Sequence, residues 1–142
     1  MMLYDTTATN KDFLTEARNT VGKAFSFIEK IKLGGVSSGK LEIDELSDNL
    51  QTEDLLPSAD NYATIVLRPK GIIVHFRNGQ NRYSWVIPYY RLVIYHTRTF
   101  TIHANGHFIK LKRNKNYQDN KKFLDKMIDQ KNDSLNLEYY DG

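Results

Sequence analysis

Two Asn-Gly dipeptides, Asn78-Gly79 and Asn105-Gly106, each stand at the centre of an alternating apolar and polar stretch. No other feature constrains this chain's fold as tightly. In a two-residue hairpin loop both central residues need positive φ, which Asn and Gly tolerate best. Asn-Gly between alternating runs therefore predicts a type I′ β-hairpin. Because strand side chains alternate between faces, the turn also predicts which residues share a face.

In the first hairpin, residues 72–77 and 80–88, the turn predicts Arg77 opposite Gln80, Val74 opposite Tyr83 and Ile72 opposite Trp85. One face then holds Ile72, Val74, Phe76, Tyr83, Trp85 and Ile87; the other holds Ile73, His75, Arg77, Gln80, Arg82 and Ser84. In the second, residues 99–104 and 107–112, Ile102 faces Ile109 and Phe100 faces Leu111. The reverse side carries Thr99, Thr101, His103, Phe108, Lys110 and Lys112.

Other strands flank these. Residues 62–68 alternate, with Ala63, Ile65 and Leu67 on one side, and Pro69-Lys70-Gly71 makes a tight turn. Residues 91–96 form a strand with either Leu92 and Ile94 or Val93 and Tyr95 inward. Residues 36–43 suit a short strand. Residues 44–60 are acidic and form a short helix ended by Pro57, a loop, or a mobile segment.

Helical periodicity marks both ends. Phe13, Leu14, Ala17, Val21, Ala24, Phe25, Ile28 and Ile31 make one apolar stripe over residues 11–33. Thr9 is the predicted N-cap and Gly34-Gly35 the stop, while Gly22 weakens the centre by about 1 kcal/mol relative to Ala. A last helix spans residues 117–131, capped by Asn116, with Phe123, Leu124, Met127 and Ile128 inward and Asn132 as its end. Residues 133–142 read as a flexible acidic tail, or as an edge strand through Leu135, Leu137, Tyr139 and Tyr140.

The chain of 142 residues suits one compact domain in three parts: residues 1–61, 62–132 and 133–142. Their net charges differ sharply, at −5, +11 and −3. Either the basic block meets an acidic partner, or the acidic part packs against it within the molecule. The absence of cysteine excludes disulfides, thiolate zinc sites and thiol catalysis. No run approaches the ~20 apolar residues of a membrane span, and the N-terminus lacks a secretory pattern. A cytoplasmic protein is expected.

The run YSWVIPYYRLVIY (83–95), then FTIHANGHFIKLK (100–112) and NKKFLDKMI (120–128), resembles bacterial members of the pleckstrin-homology-like superfold. The likeness covers about half of the chain, residues 72–128, and lies in the pattern rather than in a specific motif. It implies an α+β fold: a small antiparallel barrel or sandwich of six to seven strands over residues 62–131. A C-terminal helix would plug one end, with Phe123 and Leu124 as the plugging pair, and the N-terminal helix would be an addition. Phosphoinositide-binding members carry a Lys and then a basic-x-Arg pair across their first hairpin. Here Lys70 precedes His75-x-Arg77, so a histidine stands at the first basic position. The turn at residues 69–71 is too tight for a lipid-cradling loop.

Catalytic signatures are missing. There is no G-x-S-x-G, no G-x-x-x-x-G-K-[ST] and no G-x-G-x-x-G. GGVSSGK (34–40) follows a helix instead of leading from a strand into one, so it reads as a flexible loop. His103 and His107 flank a turn and point to opposite faces, so they cannot share a metal ion. No enzyme activity, cofactor or metal is expected. The leading expectation is a non-catalytic module that binds a protein or peptide, in a groove at an open edge between the last strand and the final helix. The alternative is an anionic-surface binder, for nucleic acid or acidic lipid, using the basic hairpin faces: His75, Arg77, Arg82, Lys110, Lys112 and Arg113.

Overall fold

A computed structural model describes residues 3–50, 61–78 and 81–141. The chain runs β1 (Leu3–Asp5), α1 (Lys11–Val21), α2 (Phe27–Leu33), β2 (Leu41–Leu46), β3 (Tyr62–Arg68), β4 (Gly71–Asn78) and β5 (Asn81–Pro88). It continues through β6 (Val93–His96), β7 (Phe100–Ala104), β8 (His107–Leu111), α3 (Lys115–Asp119) and α4 (Lys121–Asp141). Short 3₁₀ turns lie at Asp48–Leu50 and Tyr89–Arg91.

The fold is α+β. Among the described residues, eight antiparallel strands form one sheet in the order β1-β5-β4-β3-β2-β8-β7-β6. The expectation of a small barrel or sandwich of six to seven strands is therefore corrected: among the described residues the sheet has eight strands and does not close into a barrel, with β1 and β6 at its edges. The extra strand, β1, has three residues, too few for alternation to announce it.

The sheet is nevertheless strongly curled. β5 and β8 are four steps apart in the strand order, about 19 Å in a flat sheet. Yet the Trp85 and His107 rings, one from each strand, have centroids 6.5 Å apart. Curling brings Ile65, Ile72, Trp85, Phe100 and Ile109 into one core, joined by Tyr117, Phe123, Leu124 and Met127 of α3 and α4. Of the two faces considered for residues 91–96, Leu92 and Ile94 point inward while Val93 and Tyr95 are exposed.

The second hairpin forms as its turn predicts. Ile102 pairs with Ile109 and Phe100 with Leu111, and Asn105 and Gly106 take φ of 53° and 81°. The first hairpin differs in register. Asn78 pairs with Asn81, so Val74 faces Trp85, Ile72 faces Ile87 and Arg77 faces Arg82. Gly79 and Gln80, and with them the turn type expected there, lie outside the described residues. The displacement is two residues, a full period of the strand, so both faces keep their predicted membership.

The N-terminal helix breaks in two. Gly22, at φ 92°, ends α1, and Asn10 rather than Thr9 caps it, its side chain accepting from the Phe13 N–H. A Cβ at Gly22 would meet Pro69 Cδ at 3.3 Å, so the chain turns where it passes the β3–β4 turn. The stripe splits accordingly. Phe13, Ala17 and Val21 pack on Ile73 and Val86, on the sheet face opposite the main core. Phe27, Ile28 and Ile31 of α2 are exposed.

Three other boundaries move. The early strand is Leu41–Leu46, and only Asp48–Leu50 of the acidic segment is a described turn; residues 51–60, with Pro57, lie outside the described residues. Asn114, not Asn116, caps the C-terminal helical region, and the chain passes Asn132 without stopping. The stretch read as a tail is helix as far as Asp141, neither a flexible tail nor a strand. No helix among the described residues is long and apolar enough to cross a membrane.

Candidate binding surfaces

The basic residues singled out by sequence divide into two groups, separated by β2 and β3. His75, Arg77 and Arg82 lie on the β4–β5 hairpin; Lys110, Lys112 and Arg113 lie on or after β8. The second group is largely neutralised. Lys110 Nζ is 3.1 Å from Glu45 Oε2, and Lys112 Nζ is 2.8 Å from Glu42 Oε1. The hydrogen bond to Glu42, and then its charge, raise the Lys112 pKa. Both carboxylates come from β2, which pairs with β8. Acidic residues within the molecule thus meet part of the basic block.

Arg113 is also engaged. It donates to the Thr97 carbonyl at 2.6 Å and to the Tyr117 hydroxyl at 3.3 Å, and its guanidinium lies 5.0 Å from the Tyr117 ring centroid. Tyr117 Oη and His96 Nε2 are 2.8 Å apart. This node ties α3 to the end of β6.

His75 is not an exposed basic group. Its Nδ1 lies 2.6 Å from Ser84 Oγ, which lies 2.7 Å from Thr6 Oγ1. Phe13 of α1 meets its ring edge-on at 6.3 Å. Burial, then the charges of Arg82 and Arg68, push its pKa down to about 4, so it is neutral near pH 7. The Ser84–His75 contact resembles half of a nucleophile–base pair. Ser84, however, has no exposed surface, and among the described residues no carboxylate hydrogen-bonds to His75. The pair satisfies its own polar atoms inside the α1–sheet contact.

Two clefts adjoin His75 and Arg82. The larger, about 600 Å³, runs between the segment Thr6–Leu14 and the hairpin, and is lined by threonine hydroxyls, Asn10, Phe13 and Leu14. The Arg82 N–H donates to Thr7 Oγ1 at 2.9 Å, and the Thr6 N–H donates to the Arg82 carbonyl at 2.8 Å, so this wall is an extension of β1 along β5. The smaller cleft, about 270 Å³, is lined by Lys40, Tyr62, Thr64, His75, Phe76, Arg77 and Arg82. Arg77 and Arg82 face one another across the hairpin, and Lys40 Nζ lies 5.5 Å from the Tyr62 ring centroid. No ion pair joins these three cations to an acidic group among the described residues.

Sequence reasoning missed Lys40. It ends GGVSSGK, which is not the flexible loop expected. The Ser38 N–H donates to the Ile65 carbonyl, Ser38 Oγ accepts from the Ile65 N–H, and the Leu67 N–H donates to the Val36 carbonyl. The segment is thus laced to β3, which fixes Lys40 at the cleft.

The open edge also falls elsewhere than expected. The last strand, β8, pairs with both β2 and β7, so among the described residues it offers no open edge beside the final helix. Among the described residues β6 pairs with β7 alone, and Tyr90, Val93 and Tyr95 beside it are 62%, 43% and 52% exposed. Tyr95 packs edge-on to His103 at 5.9 Å, while His107 meets Trp85 within the curl, so the two histidines do not converge. Among the described residues no three His, Cys, Asp or Glu side chains are grouped to hold a metal ion.

Comparison of the chain with protein-family models, with curated proteins and with solved structures finds no match.

Proposed function

We propose that the chain is a cytoplasmic, non-catalytic binding module of the pleckstrin-homology-like kind, and that it takes an extended protein or peptide segment along the free edge of β6. One observation carries the reading: β6 ends the sheet with one side unpaired among the described residues, beside exposed Tyr90, Val93 and Tyr95. A strand laid there gains backbone hydrogen bonds, and its alternate side chains meet Val93 and Tyr95. The element order supports the scaffold reading: meanders β2–β5 and β6–β8, joined through β2 and β8 and followed by a C-terminal helix.

Selection from a displayed library of random peptides tests this. Bound peptide is expected to shift the amide resonances of Ile94, Tyr95 and His96. Val93→Lys with Tyr95→Lys is expected to weaken binding at least about tenfold, through lost apolar contact. Binding that leaves those resonances and that double variant unaffected overturns the reading.

The unpaired Arg77–Arg82 juxtaposition beside Lys40 favours a second reading, an anionic ligand in the smaller cleft. Two arginines directly opposite one another on adjacent strands repel, and a bound anion relieves that repulsion. Titration with inorganic pyrophosphate is expected to move the resonances of both arginines, and to move that of Arg77 less in Arg82→Gln. No response at low salt overturns it.

A further inference from the structure

We infer that α2 is a membrane-surface anchor that dips Phe27, Ile28 and Ile31 into a bilayer containing anionic lipid. The helix has no buried residue, and these three side chains are 77%, 65% and 63% exposed. A seven-residue helix is too short to persist on propensity alone. It is held at both ends instead. Ser26 and Glu29 form a reciprocal capping box, Gly34 closes the other end in the left-handed conformation, and Lys126 Nζ donates to the Gly34 and Gly35 carbonyls at 3.2 and 3.0 Å. Phe25 and Leu33 seat its flanks on the core. The apolar side is thus presented outward on a fixed mount.

The arrangement of charge selects the occupant. At about 100° per residue, Phe27, Ile31 and Ile28 fall within one arc of about 100°. Lys30 lies about 60° to one side of that arc and Lys32 about 40° beyond the other. Leu33 and Glu29 fall on the opposite side; Leu33 packs on the core, and Glu29 Oε1 accepts from the Ser26 N–H. An apolar strip with a lysine along each margin matches an anionic lipid interface, where acyl chains take the strip and headgroups meet the ammonium groups. Lys23, exposed just before the helix, adds to the same charge. A second copy of this chain fits worse, because two such strips face to face would set lysines against lysines. The surface is separate from both the β6 edge and the Arg77–Arg82 cleft, so it stands whether or not those readings hold.

The test uses the whole chain on phosphatidylcholine vesicles with and without phosphatidylserine, assayed by co-sedimentation. Retention is expected on the phosphatidylserine vesicles and not on phosphatidylcholine alone. Lys30→Gln with Lys32→Gln is expected to weaken it about 30-fold, at about fivefold per lysine. Phe27→Ser with Ile31→Ser is expected to weaken it more than tenfold. All four positions are exposed, so the core is untouched. Phe27→Trp then reports depth. Its emission is expected to be quenched by lipids brominated on their acyl chains, beyond any change in the wild type. No retention on phosphatidylserine vesicles at low salt overturns the inference. So does retention that survives Phe27→Ser with Ile31→Ser, or a Phe27→Trp emission that the brominated chains leave unchanged. Binding of α2 to an acidic protein without vesicle binding is likewise evidence against it.

Discussion

Gly71 has no room for a side chain. A Cβ there would overlap the Ile87 carbonyl oxygen and the Val21 side chain. The position marks where the end of α1 presses on the start of β4. Gly71→Ala is expected to destabilise the fold by about 1–3 kcal/mol, through the strain of overpacking. A lower urea midpoint with unchanged slope would show it. His75 carries a different liability. Its folded pKa of about 4 lies below the ordinary histidine value of 6.5, so the unfolded chain binds the proton more readily. The associated stability is present above about pH 6.5 and is lost as pH falls toward about 4. Between about pH 7 and about pH 5 the loss is roughly 2 kcal/mol. His75→Gln should remove that component, seen as a shallower fall of the denaturation midpoint with acid. Identical slopes for variant and wild type would contradict it.

At the level of elements, α2 and α1 respond differently to change. Ser26→Ala removes half of the capping box, worth about 1 kcal/mol at an N-cap. Because α2 has no fully buried residue and meets the core only through Leu33 at its far end, that loss should stay local. Amide exchange is expected to quicken at Glu29 and Lys30 while the global melting temperature holds; a cooperative drop in melting temperature would refute this. The split of the N-terminal helix is half legible in sequence, where Gly22 reads as a weak point but not as an end. At that end Gly22 packs beside Pro69 and the Val21 carbonyl accepts from the Lys70 N–H, contacts forty-seven and forty-nine positions along the chain and beyond the reach of local periodicity. The first hairpin teaches the complementary lesson. Alternation identified both faces correctly yet left the pairing two residues off, because a shift of one full period leaves the faces the same. Surface charge was the least legible property. Sequence leaves open whether Lys110 and Lys112 meet an outside partner or the chain's own acidic part; the pairing of β2 with β8 decides it by bringing Glu45 and Glu42 beside them.

For the molecule as a whole, sheet edges matter most. β1 covers β5 on one side, with Leu3 paired to Trp85 and Tyr4 to Ser84. Deleting residues 1–9 would leave β5 with an open edge beside the one on β6. Exposed edges recruit other strands, so the truncated protein is expected to self-associate more than the full chain. Light scattering across a dilution series would show it; equal, concentration-independent masses would count against it. The curl has a practical consequence of its own. Trp85 is the single tryptophan of the chain, and it sits against His107 where the curl brings β5 and β8, four strands apart in the sheet, together. Excitation of this one indole therefore reads out the seam without a label: any event that parts β5 from β8 admits water beside the ring, and its emission moves to the red.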